Sequence, residues 1–134
     1  MSLSPSTQPM VIVPETQVET NGAGPAYDLG ALKGKPVMIV LSITEIIEQE
    51  SLHVSIWGSA DGNDWGGQAL FWYPQKFYRG VAPAALDLRQ LPGIGFLQAR
   101  WEVNRWGRGY PRPLFRFGIK IEELPAAGEA NSGR

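Results

Sequence analysis

Hydrophobic and polar residues alternate along several segments of the chain. Within each segment the apolar positions lie two residues apart, which is the repeat of a β-strand with one buried face. The apolar stripes are Val37, Ile39, Leu41 and Ile43; Leu52, Val54 and Ile56; Leu97, Ala99, Trp101 and Val103; and Phe115, Phe117, Ile119 and Ile121. We expect these stripes to form the core.

Further strands are predicted between clusters of Gly and Pro that recur at intervals of about a dozen residues, a spacing typical of sandwiches and barrels. The predicted strands cover residues 10–19, 36–45, 51–58, 69–73, 84–88, 96–104 and 114–122. No window shows the 3.6-residue repeat of an amphipathic helix. The pattern therefore predicts an all-β protein, a single antiparallel β-sandwich with jelly-roll or immunoglobulin-like topology.

The chain has the length of one domain. Of its 134 residues, we expect 10–124 to form the sandwich, with flexible segments at 1–9 and 125–134, which are rich in small and polar residues. Because there is no cysteine, disulfides and thiolate metal sites are excluded. The start of the chain lacks the pattern of a signal peptide, so we expect synthesis in the cytoplasm.

Charge is unevenly distributed, although the formal net charge is only -1 and disfavours nucleic acid or a membrane surface as partner. Residues 1–51 hold six acidic residues and two lysines, whereas residues 96–121 hold six basic residues and one acid, Glu102. If these segments occupy different faces, copies of the chain would associate head to tail. Alternatively, the two signs interleave within one sheet.

The segment from Ser59 to Trp65 has the composition of a tight turn. Asp61 would cap backbone amides, Gly62 would accept a positive φ, and Trp65 would fold back over the hairpin. Asp61, Asn63 and Asp64 would also suit calcium, but the segment lacks the ordered ligands and the distal Glu of an EF-hand loop. A structural turn without metal is the prediction.

Catalytic chemistry finds no support in the sequence. Asp61 with Asp64, or the acids Glu45, Glu48 and Glu50, would have to face each other across a cleft, and nothing indicates one. The single histidine, His53, alternates outward from a strand with no Ser or Asp partner for a triad. We therefore predict no catalytic residue, no cofactor and no enzymatic activity.

Aromatic and Arg-rich segments provide the candidate contact residues. The run over residues 70–78 is too aromatic for one core, so part of it should be exposed or at an interface. The segment over residues 104–113 would dock on an acidic neighbour, stack on sugars, bind a polyanion or pack as a plain loop. The interface candidates are Trp57, Trp72, Tyr73, Tyr78, Arg105, Trp106, Arg108, Tyr110 and Arg112.

The order of these pieces resembles short β-sandwich proteins of tailed phages and prophages, usually treated as virion structural components. The resemblance covers most of residues 22–122 and includes Ser-x-Asp-Gly-x-x-Trp from Ser59 to Trp65. The aromatic stretch 72–78 and the Arg-rich tip 105–112 depart from it. The resemblance implies a non-enzymatic building or decorating subunit that contacts itself or other subunits, in a virion or another assembled particle.

A carbohydrate-binding module is the alternative. The same Ser-x-Asp-Gly-x-x-Trp hairpin occurs in discoidin-like carbohydrate-binding sandwiches, to which the chain is more weakly similar. In that case the exposed aromatics would stack on sugar rings, and Asn63, Asp64 or Gln68 would hydrogen-bond the hydroxyls.

Overall fold

The structure is a computed structural model that describes residues 10–46, 50–76, 78–105 and 115–124. Short 3-10 turns lie at Gly30–Leu32 and Leu88–Gln90. Within the described residues no helix is long and apolar enough to cross a membrane. The strands in these residues are β1 (Met10–Val18), β2 (Gly22–Ala23), β3 (Tyr27–Asp28), β4 (Pro36–Ile46), β5 (Glu50–Ser59), β6 (Phe71–Trp72), β7 (Gly80–Asp87), β8 (Phe96–Arg105) and β9 (Phe115–Glu123).

The strands form two antiparallel sheets that pack against each other. The first sheet has the order β1-β9-β4-β7, and the second has the order β2-β8-β5-β6, with β3 also paired to β8. The chain changes sheet between β1 and β2, β3 and β4, β4 and β5, β6 and β7, β7 and β8, and β8 and β9. This order is that of a jelly roll. The predicted all-β sandwich is therefore confirmed, with the first of the two expected topologies.

The predicted apolar stripes fill the space between the sheets. Ile39 and Leu41 from the first sheet and Leu52 and Ile56 from the second are all fully buried. The other stripe residues are buried as well, apart from Val103, which is partly buried against the core. Because burying a side chain of this size stabilises a fold by roughly 1.5–3 kcal/mol, this core accounts for a stable domain without disulfides.

One lateral side of the sandwich is formed by the edge strands β6 and β7. Residues 73–79 connect these two strands and so pass from the second sheet to the first. Lys76 is still bridged to Leu52 of β5, which holds the start of this connection against the second sheet. β7 contains Pro83, opposite Val40 of β4, and a proline inside a strand is tolerated at a sheet edge.

Candidate functional site

The Ser59–Trp65 segment is a turn held by its own side chains. Ser59, only 2% exposed, accepts hydrogen bonds at Oγ from the backbone amides of Asp61 (3.2 Å) and Gly62 (2.9 Å) and donates one to Asp61 Oδ1 (3.0 Å). Gly62 has a φ of 84°, in the left-handed region that favours glycine. Trp65 is half-buried. These bonds give the segment a structural role at the end of β5.

The turn presents two carboxylates. Asp61 Oδ1 accepts hydrogen bonds from the amides of Asn63 (2.8 Å) and Asp64 (3.0 Å). These amides, that of Asp64 first, lower the pKa of the Asp61 carboxyl. Asp64 Oδ1 accepts from the Gly66 amide at 3.0 Å. Both aspartates are exposed, so the turn displays negative charge on a fixed loop. Within the described ranges, no three His, Cys, Asp or Glu side chains are grouped to hold a metal ion.

Trp57 lies on the outer face of the second sheet. Its indole Nε1 donates to Ser55 Oγ at 2.9 Å, and the guanidinium carbon of Arg100 lies 4.0 Å from the centre of its ring. Arg100 Nε in turn donates to Gln98 Oε1 at 2.9 Å. The Trp57 ring therefore already carries a cation–π partner on one face.

Trp72 lies on the same outer face. Its ring centroid is 4.4 Å from that of His53, and it stands opposite Ser55 in the β5–β6 pairing. Ser55 is 1% exposed, because its neighbours cover it. His53, for which the sequence suggested no partner, is thus part of an aromatic layer, while Trp72 itself remains 45% exposed.

Most of the exposed apolar side chains lie in or next to the connection between β6 and β7. Among the described residues, the large hydrophobic side chains that are exposed are Trp72 (45%), Tyr78 (80%), Val81 (68%) and Val11 (45%). All except Val11, which lies on the edge strand β1, fall within residues 72–81. Trp72 points outward from the second sheet, opposite Ser55, and Val81 points outward from the first sheet, opposite Ser42. We call the side chains of Gln75, Lys76, Tyr78, Arg79 and Val81 the crossover band.

A groove lies within the crossover band. It has a volume of about 320 Å³ and is lined by Ile43, Gln75, Lys76, Tyr78, Arg79, Gly80, Val81 and Ala82. Ile43 provides a buried apolar floor, at 4% exposure, and Gln75 Nε2 is fixed by donating to Ser51 Oγ at 2.6 Å. Lys76 and Arg79 are the charged residues among those that line it. The groove thus combines an apolar floor with positive charge.

Tyr73 is a correction to the sequence prediction. It is 3% exposed, packs edge-on against Phe71 with 5.2 Å between ring centroids, and donates its hydroxyl to the Ile39 carbonyl at 2.6 Å. Burial raises the pKa of its phenol above the ordinary value of 10.0. Tyr73 is a core residue that joins the two sheets, and its prediction as an interface residue is wrong.

Opposite charges interleave within the first sheet. Arg116 of β9 lies between two acids from neighbouring strands, with Nη1 3.7 Å from a Glu15 oxygen and Nε 3.4 Å from a Glu45 oxygen. Lys35 similarly pairs with Glu123 at 3.6 Å. At these positions the second of the two expected charge arrangements holds.

The Arg-rich tip falls largely outside the described residues. Arg105 is the last residue of β8; its side chain, together with Trp106, Arg108, Tyr110 and Arg112, lies outside them, so their contact role stays a prediction. The sequence did not indicate Lys76, Arg79 or Val81 as site residues. The signal available in the sequence was that Lys76 and Arg79 stand on either side of two aromatic residues.

No protein-family model and no curated protein sequence matches the chain.

Proposed function

We propose that the chain is a non-enzymatic structural subunit of a multi-subunit assembly, phage-virion-like or derived from one, which contacts a neighbouring copy through the crossover band. The observation that carries this proposal is that Tyr78 and Val81, which are 80% and 68% exposed, border the same groove. Apolar side chains that are exposed side by side, rather than scattered singly, mark a contact region.

The composition of the crossover band supports protein contact. Tyr and Arg are among the residue types that contribute most to interfaces, and Tyr78 and Arg79 are both exposed there. Burying each large apolar side chain yields roughly 1.5–3 kcal/mol, part of which offsets the lost freedom of the two partners. We expect each contact to be weak on its own and the association to become stronger when many copies repeat it in an assembly.

The jelly-roll fold is compatible with this role but does not decide it, because capsid subunits and lectins share the fold. One observation favours carbohydrate binding as a second candidate: Trp57 and Trp72 lie on the same outer face of the second sheet. Against it, Arg100 already covers one face of the Trp57 ring, and His53 packs on Trp72. Saturable binding on a glycan array that Trp72→Ala abolishes without unfolding the protein would favour the second candidate.

The test of the contact proposal is the mass of the protein in solution, measured by light scattering after size exclusion. Concentrations should reach about 1 mM, where a contact worth roughly 4 kcal/mol is half-formed. We expect the wild type to form discrete oligomers and Val81→Asp to shift them toward monomer. Val81 is 68% exposed, so this change leaves the core intact.

Val11→Asp is the matched control, because Val11 is an exposed valine on an edge strand of the same sheet, outside the crossover band. We expect it to leave the oligomers unchanged. Equal sensitivity of the mass to both substitutions, or a wild type that is monomeric throughout, would contradict the proposal.

A further inference from the structure

We propose that the groove of the crossover band receives the acidic turn of a second copy of this chain, with Lys76 and Arg79 of one copy facing Asp61 and Asp64 of the next. This inference rests on the proposed function and names the partner of that surface. The resulting contact joins two different surfaces, head to tail.

The two surfaces lie at opposite ends of the sandwich. Ile43, on the groove floor, lies near the end of β4 and pairs with Gly80. The turn follows Ser59, whose carbonyl accepts from the Gly95 amide. The Gly95 carbonyl in turn accepts from Leu29, which precedes β4. The length of β4 between Pro36 and Ile43 separates the two ends by roughly 23 Å, at about 3.3 Å per residue. The turn therefore cannot reach the groove of its own molecule.

The charges of the two surfaces are complementary. Among the described residues that line the groove, Lys76 and Arg79 are charged and none is acidic. On the turn, the described hydrogen bonds of Asp61 and Asp64 all go to Oδ1 atoms, so each Oδ2 remains available to a cation. Because the turn is braced by Ser59, its carboxylates are already ordered, which lowers the entropic cost of docking.

Apolar contact accompanies the charges. Tyr78 and Val81 border the groove and are largely exposed, so a docked turn would cover them. A contact between unlike surfaces repeats from copy to copy and produces a ring where the rotation closes and a filament where it does not. The groove and turn thus define a polar, repeating assembly rather than a symmetric dimer.

A charge exchange tests the pairing. Arg79→Glu and Asp64→Lys each place like charges across the proposed contact, and both positions are exposed. We expect each variant alone to weaken oligomer formation by roughly ten- to a hundredfold, since facing like charges are strongly disfavoured. Mass should be measured by light scattering at low salt, where screening is smallest.

An equimolar mixture of the two variants provides the decisive measurement. In an alternating array, the altered groove of the Arg79→Glu protein faces the altered turn of the Asp64→Lys protein. Every remaining contact is then a wild-type one, so the mixture should recover oligomers that neither variant forms alone. Recovery also shows that both variants are folded.

Three outcomes would overturn the inference. A mixture that stays monomeric while circular dichroism shows both variants folded excludes this pairing, and so does a wild type that is monomeric at every concentration. If wild-type oligomers respond to Val81→Asp but ignore both charge changes, the turn is not the partner, whereas the crossover band keeps its contact role.

Discussion

Replacing Tyr73 with phenylalanine tests a hydroxyl that links the second sheet to the backbone of the first. The substitution removes the 2.6 Å hydrogen bond to the Ile39 carbonyl and keeps the ring and its contact with Phe71. A net hydrogen bond contributes about 0.5–1.5 kcal/mol. We therefore expect Tyr73→Phe to lower the free energy of unfolding by about 1 kcal/mol at neutral pH, with a melting temperature lower by roughly 4 °C.

The loss should disappear at alkaline pH. Burial raises the folded-state pKa of Tyr73 above 10.0, whereas the same phenol in the unfolded chain ionises near its ordinary value. As pH rises past about 10, the unfolded state therefore releases this proton first, and the wild type loses up to about 1.4 kcal/mol per pH unit. Tyr73→Phe carries no such proton, so the two free energies should become equal between about pH 10.5 and 11.

Urea unfolding followed by tryptophan fluorescence, repeated from neutral pH to about pH 11, measures both effects. Tyr27, whose pKa is raised by burial first and by Asp28 second, is present in both proteins and cancels from the difference. Tyr78→Phe is the control, because Tyr78 is 80% exposed and its change at neutral pH should stay within about 0.5 kcal/mol. Wild-type and Tyr73→Phe curves that coincide at neutral pH, or that stay parallel up to about pH 11, would refute the core role of this hydroxyl.

Two further predictions concern the turn after β5. Gly62→Ala should destabilise the protein by about 1–2 kcal/mol, because its φ of 84° disfavours a side chain. Gly67→Ala should have a much smaller effect, since a Cβ there meets no atom within 4 Å, and equal urea midpoints for the two variants would contradict this reading. Asp61→Asn should make stability less dependent on pH in the acid range. The Asp64 and Asn63 amides lower the pKa of the Asp61 carboxyl in the folded protein. The ionised carboxyl therefore stabilises the fold above its unfolded-state pKa, and this stabilisation is lost as pH falls through its folded-state pKa. Thermal midpoints measured from neutral to acid pH test this, and an unchanged acid slope would speak against it.

The sequence predicted the central strands because these have the length and alternation to show a pattern. β4, β5, β8 and β9 each carry at least three buried residues at alternate positions. β2 (Gly22–Ala23) and β3 (Tyr27–Asp28) were missed, since two residues cannot display a period. β7 starts at Gly80 rather than at the expected residue 84, because Gly80 and Pro83 resemble turn residues and its inward side chains are mostly alanines.

The candidate site was only partly predictable. The excess of aromatic residues correctly indicated that Trp72 and Tyr78 are exposed. The sequence could not show that Tyr73 is buried, because the direction of its side chain depends on where the chain leaves β6 to cross between the sheets. The stacking of Arg100 on Trp57 could not be predicted, because it depends on a diagonal neighbour across β5 and β8. The groove is formed by residues 43, 75, 76 and 78–82, and only folding brings these segments together.

Pro83 gives the edge strand β7 a protection against fibrous aggregation. An open sheet edge offers a row of amides and carbonyls on which a foreign strand can be laid down, and repeated addition of this kind leads to amyloid-like growth. With no N–H at its centre, β7 interrupts that row, so a strand cannot add along its full length. A protein kept at high local concentration, as in a repeated particle, can then associate on this side through its side chains without its sheets merging.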